Sequence, residues 1–255
     1  MTPLDEIVVV SARSRPPRPS AEPTVNVEGV PLIVRTAERC LEVFPHDQVL
    51  VATGDPQIAK ACIGRGLRVV ETRDGHQTDL DQAAEVAAMV PAMSYISIPC
   101  DEPLVPAEDI RALRDAARTD RGATVVGYRP MTAAEWENPS NPRLLFSLSG
   151  RLIYIGRARV AGGHRDEFSF GYMPTIGRAY PATVLETVRS TDGRTPLESL
   201  EDHEVMRLLE IGLPVRVVEL RGQSIGVRGT DAATAAARVI SNIESGEEGG
   251  QHERL

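Results

Sequence analysis

Residues 49–71 read VLVATGDPQIAKACIGRGLRVVE, and the changes of rhythm within them decide the fold. Val49–Ala52 is a continuous apolar run, the pattern of a strand buried on both faces. Asp55-Pro56 then opens a helix. Asp55 can cap it, and Pro56 falls in the first turn, where its missing N–H costs nothing. Gly66 ends that helix, and Leu67–Glu71 is extended again. Strand, helix and strand in one short span make a βαβ unit, in which the two strands run parallel and the helix covers the sheet.

The same alternation continues on both sides. Upstream, Ile7–Val10 is a β-branched apolar run, followed by an Arg-, Pro- and Ser-rich loop from Ser11 to Pro23. Pro31–Phe44 then has helical spacing, with Leu32, Val34, Ala37 and Leu41 on one side. Downstream, helices are predicted at Asp79–Val90 and Pro106–Thr119, and strands at Tyr95–Ile98 and Ala123–Tyr128. The class is α/β, a mostly parallel sheet flanked by helices. Ligands of such sheets sit at the carboxyl ends of the strands, so Ser11–Pro23, Gly54–Asp55, Arg73–Asp81 and Cys100–Pro103 are the informative positions.

From Met131 the pattern changes. Glu137–Arg143 is turn-rich, and Leu144–Ser147 and Leu152–Ile155 flank Ser149-Gly150 as a hairpin. A loop is expected at His164–Asp166, helices at Tyr180–Val188 and Pro196–Ile211, a strand at Val215–Leu220 and a closing helix at Thr230–Ile243. We expect a single domain over residues 1–243, a β-rich insert at about 131–180, and a disordered Gly- and Glu-rich tail at 244–255.

Composition narrows the partners. Among 255 residues, 42% are hydrophobic and 25% charged, enough apolar content for a core. A net charge of −8 with no basic run argues against nucleic acid, whose binding needs clustered cations to displace counterions. Lys60 is the sole lysine, which marks a coding preference for arginine. Cys40, Cys62 and Cys100 lack metal-type spacing and are expected to be buried thiols in a reducing cytoplasm. There is no signal-peptide pattern and no apolar stretch near the roughly 18 residues of a membrane span. The expected location is cytoplasmic, away from membranes.

Three loops can carry chemistry. Ser11-Ala12-Arg13-Ser14-Arg15-Pro16-Pro17-Arg18 places three arginines directly after a buried strand, and their planar forks suit phosphate oxygens. The same composition also describes a solvated surface loop. Cys100-Asp101-Glu102-Pro103 puts a carboxylate at a strand end, where it could hold Mg²⁺; the two acids could equally favour the dipole of the following helix. Thr72 to Asp79 offers His76 as a base. A loop histidine more often faces solvent or bonds to backbone, and Thr78 or Asp79 could simply cap a helix. No GxSxG elbow, HExxH or Walker loop occurs, and tyrosine and phenylalanine are too scattered for base stacking.

In order, these segments resemble the CMP-Kdo synthetases, the 3-deoxy-manno-octulosonate cytidylyltransferases. Ser11-Ala12-Arg13 is similar to the family's PAR, Arg18 to its second arginine, and Asn26 to Pro31 to its D-x-x-G-K-P. Val51 to Ala59 resembles V-A-T-D-x-x-x-I-A, Thr72 to Gln82 resembles T-R-x-D-H-Q-S-G-T-[DE]-R, and Pro99 to Pro103 resembles Q-G-D-E-P. Asn138-Pro139, Tyr154 to Arg157, and Pro196-Leu197-Glu198 through Gly212 continue the match, which spans roughly Glu6 to Val239. The resemblance implies a Rossmann-like nucleotidyltransferase fold with a dimerisation insert, hence a homodimer. It implies joining CTP to a 2-keto-3-deoxy sugar acid with Mg²⁺ and release of pyrophosphate. Carried over residue by residue, it implies Arg13, Arg18 and Asp101 as catalytic residues. Ala12, Arg13, Arg15, Arg18, Gln77 and Thr78 would meet the nucleotide, Arg157, Tyr172 and Glu204 the acceptor, and Asp101 and Asp231 the metal.

The departures gather at the site. Glu22 stands where the family has a phosphate-side lysine, a reversal that a preference for arginine does not explain. Pro99-Cys100 replaces Gln-Gly, and S-G-T-[DE]-R becomes Thr78-Asp79-Leu80-Asp81-Gln82. Tyr172 replaces a sugar-acid histidine, and Asp231 reaches the second metal position only with a shifted register. Two expectations stand side by side: an active nucleotidyltransferase with an altered donor or acceptor, and a member that has lost the transfer but kept the fold for binding, regulation or another reaction.

Overall fold

Along β1 (Leu4–Ser11) successive side chains enter two different cores: Val8 and Val10 one, Ile7 and Val9 the other. A strand buried on both faces needs the continuous apolar run seen there. The computed structural model describes residues 4–13, 23–27, 29–158, 168–191 and 193–222. Arg15, Arg18, Glu22 and Asp231 lie outside these residues, as do the expected loop at 164–166, helix at 230–243 and tail at 244–255.

After a two-residue pair of strands, β2 (Asn26–Val27) and β3 (Val30–Pro31), comes α1 (Leu32–Leu41). The unit quoted above follows as β4 (Val49–Thr53), α2 (Pro56–Ile63) and β5 (Arg68–Glu71). Asp55 caps α2, its carboxylate accepting from Gln57 N at 2.7 Å with Pro56 in the first turn, and Gly66 turns the chain with φ +76. Then come α3 (Asp79–Met89), β6 (Ala92–Pro99), α4 (Ala107–Thr119) and β7 (Thr124–Pro130). A short α5 (Ala133–Glu137) precedes the hairpin β8 (Arg143–Phe146) and β9 (Leu152–Gly156). The described chain ends with β10 (Tyr172–Pro181), α6 (Ala182–Arg189), α7 (Pro196–Glu201), α8 (Val205–Glu210) and β11 (Val215–Glu219).

The main sheet has seven strands in the order β11-β7-β10-β6-β1-β4-β5. All neighbours are parallel except β10, which runs antiparallel to both β6 and β7. Side chains of α1, α2 and α4 pack on one face, and those of α3, α6 and α8 on the other. Among the described residues no helix is long and apolar enough to cross a membrane.

Three sequence expectations need correcting. The helix expected at Tyr180–Val188 begins only at Ala182, because Tyr180 and Pro181 finish β10, paired with Tyr95 and Ser94. That strand was masked by Pro174 and Gly177. The register shifts between Pro174 and Arg178, and Gly177 turns there with φ +75; a Cβ on it would lie 2.7 Å from Ile98 Cδ1. The insert is therefore narrower than 131–180, since its last nine residues belong to the main sheet, and β8–β9 form a separate pair. Finally, Pro196–Ile211 is two helices, broken where Asp202 adopts a left-handed φ of 48°.

Candidate active site

The carboxyl ends of β1, β4, β5 and β6 lie side by side, because pairing continues past the strands: Cys100 N donates to Ser11 O at 3.0 Å, Ala12 N to Ala52 O at 3.0 Å, and Thr72 N to Thr53 O at 3.0 Å. Gly54 makes the approach of the last two possible, since a Cβ there would sit 2.7 Å from Thr72 O. Gln82 stitches the same ends from below, donating to Ala52 O and to Thr72 Oγ1. Three of the loops singled out by sequence thus open on one edge.

Arg13 leaves β1 and turns toward the start of α3. Its Nε donates to Asp79 Oδ1 at 2.9 Å and its Nη1 to the carbonyl of Gln77 at 2.7 Å. Burial works against the Arg13 cation, but Asp79 and then Glu204 outweigh it and raise its pKa. Thr78 caps α3: its hydroxyl accepts from Asp81 N at 3.1 Å. Glu204 reaches the same helix end, accepting from Leu80 N at 3.1 Å. Its other oxygen accepts from Tyr180 at 3.3 Å and lies 3.2 Å from Arg178 Nε. Burial, then Glu204, pushes the Tyr180 hydroxyl well above its ordinary range. Arg178 sits in the field of Glu204, Asp79 and Glu102, which keep it charged against burial. Two arginines and a ring of carboxylates therefore share this edge.

Asp101 and Glu102 are nearly buried after β6. The Cys100 thiol beside them is raised by burial first and then by Asp101 and Asp79. Among the described residues no group of three acids, histidines or cysteines is placed to hold a metal. Carboxylate oxygens suit Mg²⁺ all the same, which binds through one or two of them with substrate phosphates and water completing the shell. Asp101 fits that use.

The remaining sequence candidates lie as follows. Ala12 is buried, and Gln77 is exposed with its carbonyl on Arg13. Arg157 Nε donates to the carbonyl of Ser140 and its Nη1 to those of Glu201 and Asp202, tying the end of β9 to the α7–α8 turn. Tyr172 joins Tyr128, Phe146 and Phe170 in an aromatic group with ring centroids 4.7–6.1 Å apart, gathered from positions scattered in sequence. His76 is buried, not solvated, and its ring contacts the Glu85 carboxylate. Sequence reasoning missed Arg178, whose only signal was its place directly after the segment Tyr172 to Gly177.

The fold and this edge define a nucleotidyltransferase: residues 6–203 match the MobA-like NTP transferase domain. A solved structure of CMP:2-keto-3-deoxy-manno-octonic acid synthetase complexed with CTP superposes with a TM-score of 0.85 at 25% identity, covering 94% of this chain and 99% of that one. The 3-deoxy-manno-octulosonate cytidylyltransferase of Escherichia coli is 28% identical over 87% of this chain and 90% of its own. That of Syntrophobacter fumaroxidans is 32% identical over 84% and 90%, and the second such enzyme of Burkholderia ambifaria is 30% identical over 93% and 92%. The chain belongs to the 3-deoxy-manno-octulosonate cytidylyltransferase, or CMP-Kdo synthetase, family. It is an enzyme of the cytidylyltransferase-like class.

Proposed function

We propose that the protein transfers a nucleotidyl group, CMP from CTP, to a sugar acid and releases pyrophosphate. The observation that carries this reading is the convergence of Arg13, Arg178 and Asp101 at one sheet edge, cations for phosphate beside a carboxylate for metal. The CTP complex of the structural relative supports the choice of nucleotide.

In the reaction a hydroxyl of the acceptor attacks the α-phosphorus, and the bond from that phosphorus to the pyrophosphate oxygen breaks. Arg13, with Arg15 and Arg18 on the same loop, orients the phosphates and takes up the charge that develops on them. On this reading Ala12, Gln77 and Thr78 meet the nucleotide, and Arg157, Tyr172 and Glu204 meet the acceptor. Asp101, with Asp231, would hold Mg²⁺, whose chemistry when bound would be to offset phosphate charge. Two copies of the chain form the working unit, located in the cytoplasm.

A thermal-shift panel of CTP, UTP, GTP and ATP, each with and without Mg²⁺, tests the reading. Selective stabilisation by CTP, enhanced by Mg²⁺, is expected, since a ligand of the folded state raises the midpoint by mass action. Pyrophosphate release with sugar acids should then disappear in Asp101→Ala; unchanged turnover removes Asp101 from the mechanism. The second reading, a chain that binds without transferring, is favoured by the bond of Arg13 to Asp79. It predicts no pyrophosphate release with any acceptor.

A further inference from the structure

A guanidinium that is to grip phosphate should have its donors free, and Arg13 does not. Two of its five N–H groups are taken, one by Asp79 Oδ1 at 2.9 Å and one by Gln77 O at 2.7 Å. The side chains of the pair are only 18% and 14% exposed, so water screens their attraction weakly. The amino end of α3 is filled as well: Glu204 holds Leu80 N and Thr78 holds Asp81 N. Those two groups already serve the backbone of the first turn, and the Asp79 carboxylate turns to Arg13. Asp79 also bears on Arg178 across the site, so one carboxylate offsets both arginines. In the segment comparison above, Asp79 stands at the glycine of S-G-T-[DE]-R; the negative charge is an addition of this chain.

We infer that Asp79 is a specificity-determining residue of the nucleotide site: it is an internal anion on Arg13 that an incoming phosphate must displace. The inference rests on the nucleotide-binding reading of the Arg13 loop. A ligand gains from Arg13 only what exceeds the bond to Asp79, and each additional phosphate charge is repelled by the displaced carboxylate. The penalty therefore grows with the charge of the ligand. The chain discriminates against triphosphates relative to monophosphates more than the same site with a neutral residue would.

The test is calorimetric titration of CTP with Mg²⁺, and of CMP, into the full-length wild type, Asp79→Asn, Arg13→Gln and the double variant. Asp79→Asn keeps the shape and removes the charge. It should tighten CTP by about tenfold, the order expected for one nearby charge in a partly buried site, and CMP by clearly less. In the Arg13→Gln background the gain should shrink to what the release of Arg178 and the loss of direct repulsion supply, because Arg13 is no longer there to be released. An unchanged CTP-to-CMP ratio, or weaker CTP binding in Asp79→Asn, overturns the inference while leaving the nucleotide reading intact. Absence of binding of either nucleotide to both wild type and Asp79→Asn sinks the two together. Thermal midpoints are taken on the same samples, and Asp79→Ser, which keeps an oxygen at the start of the helix, replaces Asp79→Asn if that variant does not fold.

Discussion

The guanidinium of Arg207 makes three charge-assisted bonds: to both oxygens of Glu198 at 2.7 and 2.8 Å, and to Asp81 Oδ1 at 2.6 Å. Glu198 is wholly buried and Arg207 nearly so. Burial alone would raise the Asp81 carboxyl, but Arg207 and Thr78 together hold it below the ordinary range. Removing one member of a buried pair leaves an uncompensated charge, so Arg207→Met should cost about 3–5 kcal/mol in urea unfolding, and Arg207→Met with Glu198→Leu markedly less. A single-variant loss under about 1 kcal/mol would show that water reaches the pair. Residues such as Arg13 and Asp101 could be singled out in the sequence because each follows a buried apolar run. Arg178 could not. It lies on an antiparallel strand interrupted by Pro174 and Gly177, and its partners are Glu204 and Asp79, 26 and 99 positions away along a chain whose pairing only the fold decides. The bond of Asp79 to Arg13 was hidden for a related reason: an acid in the first turn of a helix already has a sufficient local explanation.

At the scale of elements, legibility followed the strength of the local signal. The strands β1 and β4 hold apolar runs buried on both faces, β6 is buried on both faces over Tyr95–Ile98, and α2 carries its cap and its stop in Asp55 and Gly66. By contrast α7 and α8 share one apolar rhythm in sequence, and only the left-handed Asp202 divides them. The short α5 precedes the segment read as turns and is assigned no element from sequence, yet it has a capping box: Thr132 Oγ1 accepts from Glu135 N at 3.2 Å, and Glu135 Oε2 accepts from Thr132 N at 2.8 Å. Arg129 also grips Glu135, and its hydrogen bond is the main reason the carboxyl pKa falls from 4.5 to about 2. Because the folded value is depressed, the stability this group supplies is fully present above the ordinary carboxylate range. It is lost as pH falls toward the folded value. Glu135→Gln should therefore lower the melting midpoint at pH 7, and the difference from wild type should shrink steadily between pH 4.5 and about 2. Trp136, the sole tryptophan, is the adjacent fluorescence probe. A midpoint difference independent of pH would mean that the cap acts by shape rather than charge.

For the whole molecule, the alternation of strand and helix in the first half was enough to give a mostly parallel sheet, while the antiparallel β10 and the narrower extent of the insert came from pairing that no local pattern encodes. The insert raises a further question of how its outer surface is covered. Leu144, Leu152 and Ile155 of the hairpin point into the core, but Ile153 and Leu148 are exposed at 62% and 111%, and Phe170 at 68% stands beside the aromatic group of Tyr172. Exposed apolar side chains that share a contiguous patch mark a contact surface more often than a solvated one, and Leu148 and Ile153 belong to one hairpin. A second copy of the chain is the occupant we propose, since a two-fold contact uses the same patch twice and closes without leaving an open end. The wild type should then sediment at twice the chain mass at micromolar concentration. Ile153→Glu combined with Leu148→Glu should shift it to a single chain, because each change places two charges in the contact for one substitution. The far-ultraviolet spectrum should not change, as both side chains leave the core of the protomer intact. A wild type that sediments as one chain would remove the dimer, a double variant that remains a dimer would move the assembly surface elsewhere, and either would leave the exposed face of β8–β9 without this explanation.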